Sequence, residues 1–204
     1  MALGATRHMI RVILLSATVT VAMAVNGAQE ARADEATFGL AIGIALRDGM
    51  PIRDDAWLDA QIDDANQLFS KAGVRFRWTI KTSLPERHAA IHSRADRDAL
   101  AAFVSDRTTI PIFIVSSLED IGDAGHPRMG ICWKRQYLVI AASASPTVLA
   151  HELGHYFGNE HSSVSDNLMS YSRTGRNVFL NAFQLDTIRA SSVRFLEAGP
   201  LRAL

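Results

Sequence analysis

Residues 145–171 read SPTVLAHELGHYFGNEHSSVSDNLMSY, and the fold turns on how they are read. Ser145-Pro146 predicts a helix start, with serine as N-cap and proline at the first helical position. The helix is expected to run to about Phe157 and to stop at Gly158, which suits the left-handed C′ position. On it His151 and His155 stand four residues apart, so their rings share one face, a turn above each other. Imidazoles so placed can bind one zinc ion at about 2.0–2.1 Å each. Glu152 points roughly 100° around the helix from His151 and can approach a metal-bound water without displacing either ring. Gly158 turns the chain, and His161, three residues on, is placed to swing back as a third ligand. Three protein ligands leave a fourth position for water, the arrangement of a catalytic site. Zinc brings that water's pKa toward neutrality, and Glu152 can take its proton and return it to a leaving amine. Such chemistry hydrolyses peptide bonds.

Working outward, FGLAIGIAL (38–46) alternates large with small side chains and predicts a strand. Residues 55–72 place Leu58, Ile62, Ala65 and Phe69 at helical spacing, with Asp54 as N-cap and Gly73 past the end. VRFRWTI (74–80) alternates again, a helix is expected over about 94–104, and IPIFIV (110–115) reads as a strand buried on both faces. MGICW and YLVIAA (129–133 and 137–142) are close enough to pair antiparallel. A last helix over about 181–196 offers Phe183, Leu185, Ile188 and Phe195 as core contacts. Strand–helix–strand alternation predicts an α/β fold with a twisted, mostly parallel sheet and the antiparallel strand at its edge.

The chain has 204 residues, 48% hydrophobic and 21% charged, enough for one domain with a substantial core. Basic and acidic side chains balance at 21 each, so no net field favours nucleic acid. Arg7 and Arg11 precede the apolar run VILLSATVTVAMAV (12–25), and Ala31-Arg32-Ala33 follows. These features predict a secretory signal peptide over 1–33, with Ala22-Met23-Ala24 as an alternative cleavage site. The apolar run is short for a membrane span, which needs about 20 residues. A secreted or periplasmic monomer without a stable membrane anchor is expected. The mature domain, 34–204, would carry 18 basic and 20 acidic side chains. Cys132 is the only cysteine, so there is no intrachain disulfide, and a small buried side chain is the expected role.

HELGHYFGNEH (151–161) and NLMSY (167–171) resemble the zinc-binding motif and Met-turn of the metzincin zinc endopeptidases. The resemblance implies His151, His155 and His161 as zinc ligands, Glu152 as general base, and Met169 as a thioether base beneath the three rings. It implies an upper subdomain (about 34–158) with a sheet, a backing helix and an active-site helix. A smaller lower subdomain (about 159–204) would end in a helix. The family's antiparallel edge strand binds an extended peptide, which assigns Gly130, Ile131, Cys132 and Trp133 to substrate binding. Specificity would come from a pocket walled by residues around Met169–Val178. Ser162 resembles matrixins, whereas Tyr171 resembles astacins and serralysins, where a tyrosine there helps bind the metal or stabilise the oxyanion. Two alternatives to an endopeptidase are a metalloamidase acting on a non-protein amide, such as a cell-wall peptide, and a zinc-stabilised binding module.

Other polar clusters carry weaker signals. His88 and His92 also stand four apart, but with no third ligand evident, in what reads as an exposed connection. His126 precedes the edge strand. Asp54-Asp55, Asp63-Asp64 and the loop Glu119 to Asp123 could take calcium but lack EF-hand spacing, so caps and solvated surface are expected.

Overall fold

The computed structural model describes residues 35–104, 106–119, 127–174 and 177–204. The expected leader, His126 and most of the Glu119–Asp123 loop lie outside the described residues. Eight strands are described: β1 (Ala36–Arg47), β2 (Met50–Pro51), β3 (Val74–Leu84), β4 (Ala90–Ile91), β5 (Ile110–Val115), β6 (Ser117–Leu118), β7 (Gly130–Trp133) and β8 (Tyr137–Ala141). With them are four α-helices: α1 (Asp55–Phe69), α2 (Arg94–Ala99), α3 (Thr147–Tyr156) and α4 (Ala182–Glu197). β3, β1, β5 and β8 pair in parallel in that order, and β7 adds antiparallel to β8 at the edge. The expected sheet, mostly parallel with an antiparallel edge, is the one observed.

Burial on both faces explains the apolar runs of β5 and β8. Ile112, Ile114, Leu138 and Ile140 face a core shared with α1, α3 and α4, while Phe113, Val115, Val139 and Ala141 face a second core with Leu100 and Ile91. Phe157, directly after α3, meets Phe38, Phe69 and Phe195 edge to face at 5.4, 5.9 and 5.4 Å between ring centres. Edge-to-face aromatic packing is directional, so this one residue fixes the end of α3 against sheet, α1 and α4 together.

Asp54 caps α1 as expected, its carboxylate accepting from the Trp57 N–H. Elsewhere the structure departs from the sequence reading. The helix expected over 94–104 is α-helical only to Ala99 and continues as a 3₁₀ turn, Leu100–Phe103. Ser145 does not cap α3: Pro146 occupies the N-cap position with no side-chain cap. Gln61, buried on α1, takes over that role. Its amide donates to the carbonyls of Ala144 and Ser145 and its oxygen accepts from the Leu149 N–H. Phe183 is 78% exposed and is not a core contact. α4 instead buries Gln184, Ile188, Ser191 and Ser192.

Candidate metal centre and catalytic cleft

α3 ends in a Schellman turn, which brings the third histidine to the first two. The Asn159 N–H donates to the Gly154 carbonyl and the Gly158 N–H to that of His155. Gly158 has φ +99°, a conformation that L side chains strongly disfavour. The reversal also presents the Asn159 carbonyl to His155 Nδ1 at 2.8 Å, and the Leu168 carbonyl lies 2.7 Å from His151 Nδ1. A carbonyl only accepts, so both Nδ1 atoms must carry the proton, leaving both Nε2 lone pairs bare.

Those bare nitrogens converge. His155 Nε2 lies 3.1 Å from His151 Nε2 and 3.0 Å from His161 Nε2. Between His151 and His155 neither imidazole has a proton to offer, so two lone pairs face each other at contact distance. A proton could relieve this, but burial lowers both pKa values, that of His151 to about 4. At neutral pH the group that fits is a cation. Two nitrogens on one tetrahedral zinc stand about 3.3 Å apart, close to the spacing here. The donor set therefore fits zinc. Among the described residues it is also the only group of three His, Cys, Asp or Glu side chains placed to hold a metal.

Glu152 is buried beside this trio but is not part of it. Burial pushes its carboxyl up to about 7, with the Cys132 N–H and the Arg128 charge pulling the other way. The edge strand reaches it because Gly130 has no side chain. A Cβ there would lie 2.8 Å from Glu152 Cγ and Oε1 and 2.9 Å from Val148 Cγ1. On the peptide hydrolysis that the motif implies, Gly130→Ala is expected to shift the carboxylate and lower kcat/KM about a hundredfold with bound zinc unchanged. Comparing turnover with metal content checks this, and undiminished turnover would show that the contact is relaxed without consequence.

Beneath the helix, Met169 is fully buried and its Sδ would stand 2.4 Å from a Cβ at Gly154. The glycine between the first two histidines is what lets the thioether come this close to the helix, a role missed in the sequence. The Met-turn is braced by further residues that the sequence reading did not single out. Asn167 accepts from the Met169 N–H and exchanges hydrogen bonds with buried Gln184. Gln184 and Asn181 form the capping box of α4. Arg173 donates to the Asn167 and Leu168 carbonyls, the latter also being the partner of His151. The Ser162 N–H donates to the Met169 carbonyl, tying the His161 segment to the same turn.

Tyr171 is exposed, with its hydroxyl 2.7 Å from His161 Nε2. Cys132 lies on β7 with its thiol pushed up to about 12 by burial, the behaviour of a packed side chain. His88 is buried against Phe103, contrary to the exposed connection expected, and His92 pairs with Glu119 at 2.7 Å, so the two do not share a site. Asp54 serves as a cap and Asp55 pairs with Lys81. Cavities open on both sides of Glu152. One of about 530 Å³ runs between Arg128–Gly130, the start of α3 and the Ser170–Arg173 wall. The other, about 650 Å³, runs past Lys134, Arg135 and Glu160.

No family model and no curated protein matches the chain. Solved structures do. Mirolysin in complex with compound 9 matches with TM-score 0.62 at 11% identity, covering 81% of this chain and 94% of that one. Mature mirolysin of Tannerella forsythia in complex with a cleaved peptide matches with TM-score 0.59 at 12% identity, with the same coverage. Metalloproteinase-II from Bacteroides fragilis matches with TM-score 0.56 at 18% identity, over 77% of this chain and 53% of that one. The likeness in fold and the convergence of His151, His155 and His161 agree, and this chain has the fold of the metzincin-type metalloproteinases.

Proposed function

We propose that the chain is a secreted zinc-dependent endopeptidase. The observation that carries this reading is the facing of bare Nε2 lone pairs on His151 and His155, with His161 alongside and the buried carboxyl of Glu152 adjacent. Bound zinc would supply Lewis-acid polarisation and lower the pKa of a water to near neutrality. The chain's own residues do the rest. His151, His155 and His161 hold the ion, two of them locked in one tautomer by carbonyl partners. Glu152, raised toward neutrality by burial, takes a proton from the attacking water and passes it to the leaving amine. The Tyr171 hydroxyl lies 2.7 Å from His161 Nε2, the atom that would hold the metal, and from there it would donate to the developing oxyanion. β7 is the last strand of the described sheet, and an extended peptide would add there as a further strand against Gly130, Ile131, Cys132 and Trp133. The apolar leader read over residues 12–25 supports secretion, and no described helix is long and apolar enough to cross a membrane.

The test is incubation of residues 34–204 with an unbiased peptide mixture, before and after chelation and after zinc is restored. Cleavage that disappears on chelation and returns with zinc is expected. Zinc bound at one equivalent without cleavage of any peptide would move the assignment to an amidase for non-protein amides or to a binding module.

A further inference from the structure

The β7–β8 turn carries an arginine that belongs to two cavities. Arg135 lines the larger cavity of the catalytic cleft and also a separate one of about 260 Å³. Lys134 and Arg135 both take positive φ, +48° and +55°, and Gly158 makes room for the guanidinium, since a Cβ there would lie 3.0 Å from Arg135 Nη2. Arg107, on the segment before β5, lines the smaller cavity as well. Neither guanidinium makes a hydrogen bond or an ion pair among the described residues. No Asp or Glu stands in the described lining. The acid adjacent in sequence, Asp106, is outside it and accepts from the Thr108 N–H and hydroxyl.

Two hydroxyl groups of the same lining also lack partners. Tyr156 is only 5% exposed, and its hydroxyl makes no hydrogen bond among the described residues. Thr109 is 7% exposed, and its oxygen is buried without a hydrogen-bond partner among the described residues. Buried polar groups are nearly always satisfied, and leaving one unpaired costs free energy. Both hydroxyls can donate, and so can the side-chain amide of Gln136. Two positive charges with no counter-charge, set among hydroxyl donors, match a doubly charged oxyanion better than a singly charged carboxylate. We infer that this cavity binds a phosphate group at Arg107 and Arg135, either as inorganic phosphate or as the phosphate monoester of a small molecule. The inference does not rest on the peptidase reading, although Arg135 would place the bound charge beside the catalytic cleft.

Calorimetric titration of the protein with inorganic phosphate, with phenyl phosphate and with acetate, at ionic strength held constant by sodium chloride, tests this. One-site binding is expected for at least one of the phosphates, with acetate weaker by about tenfold or more. Inorganic phosphate binding alone identifies the free ion as the ligand, and tighter binding of phenyl phosphate identifies the monoester. Melting temperature should rise by about 5–10 °C once the phosphate is about a hundredfold above its Kd. Arg107→Gln, which removes no contact from the described fold, is expected to weaken binding about tenfold or more and to abolish the rise. Tyr156→Phe keeps its ring against Phe157 and Phe195 and should weaken binding about fivefold. Phosphate held instead by a metal on the three histidines would be indifferent to Arg107→Gln and lost in His155→Ala. That pattern would overturn the inference, as would an equal loss in Arg47→Gln, an exposed arginine outside the cavity. Binding of neither phosphate, or acetate binding as tightly as phosphate, would overturn it too.

Discussion

Glu152→Gln is expected to lose about three orders of magnitude in kcat/KM on every peptide the unaltered protein cleaves, while still binding one equivalent of zinc. The carboxamide matches the carboxylate in shape, so the wall formed with Gly130 and Val148 keeps its packing. It cannot accept and return a proton, and positioned general acid–base groups contribute about 10²–10⁴ in rate. The three histidines need no help from position 152 to converge, because His151 and His155 are held by the Leu168 and Asn159 carbonyls. Stability should not fall, since a neutral amide replaces a group that burial already penalises in its charged form. Metal analysis, melting temperature and turnover on one preparation separate the possibilities. Full activity in the variant would remove Glu152 from the mechanism, whereas loss of zinc would make it part of the metal's support.

The metal-binding stretch was legible because its geometry is local. Four-residue spacing on a helix and a glycine at its end fix where His151, His155 and His161 go almost regardless of what surrounds them. The edge strand was legible for a similar reason, because three residues between Trp133 and Tyr137 leave room for little except a hairpin. Failure came where polar side chains serve the interior. Hydropathy assigns Phe183 inward and Gln184, Ser191 and Ser192 outward, and the structure does the reverse. Gln184 is satisfied by Asn167 and Asn181, and Ser191 donates to the Phe157 carbonyl, so the buried stripe of α4 is stitched by hydrogen bonds as much as by apolar contact. Gln61 misleads in the same way: its partners at the start of α3 lie 83 to 88 residues away. Arg128 and Arg173 come to line one cavity only in the folded chain, because 45 residues separate them in sequence and no local spacing links them.

Metal removal should have the largest effect on stability, and the histidine geometry explains why. Without a cation, His151 and His155 hold two lone pairs 3.1 Å apart in a buried setting where protonation is disfavoured. A bound zinc would turn this contact into two coordination bonds. A ligand that binds only the folded state stabilises it by about 4 kcal/mol when its free concentration is a thousandfold above Kd. For a domain of this size each kcal/mol moves the melting temperature by about 2–4 °C. Chelation is accordingly expected to lower the melting temperature by about 8–16 °C, and zinc to restore it. In His155→Ala, which removes the ring nearest both others, melting should become insensitive to both zinc and chelator, and peptide cleavage should vanish. The variant is expected to stay folded, because the Phe157 contacts with Phe38, Phe69 and Phe195 that anchor the end of α3 are untouched. Scanning calorimetry of both proteins with and without zinc checks this. A metal-dependent shift that survives in His155→Ala would place the stabilising ion elsewhere, and no shift in the unaltered protein would mean the three nitrogens tolerate one another without a metal.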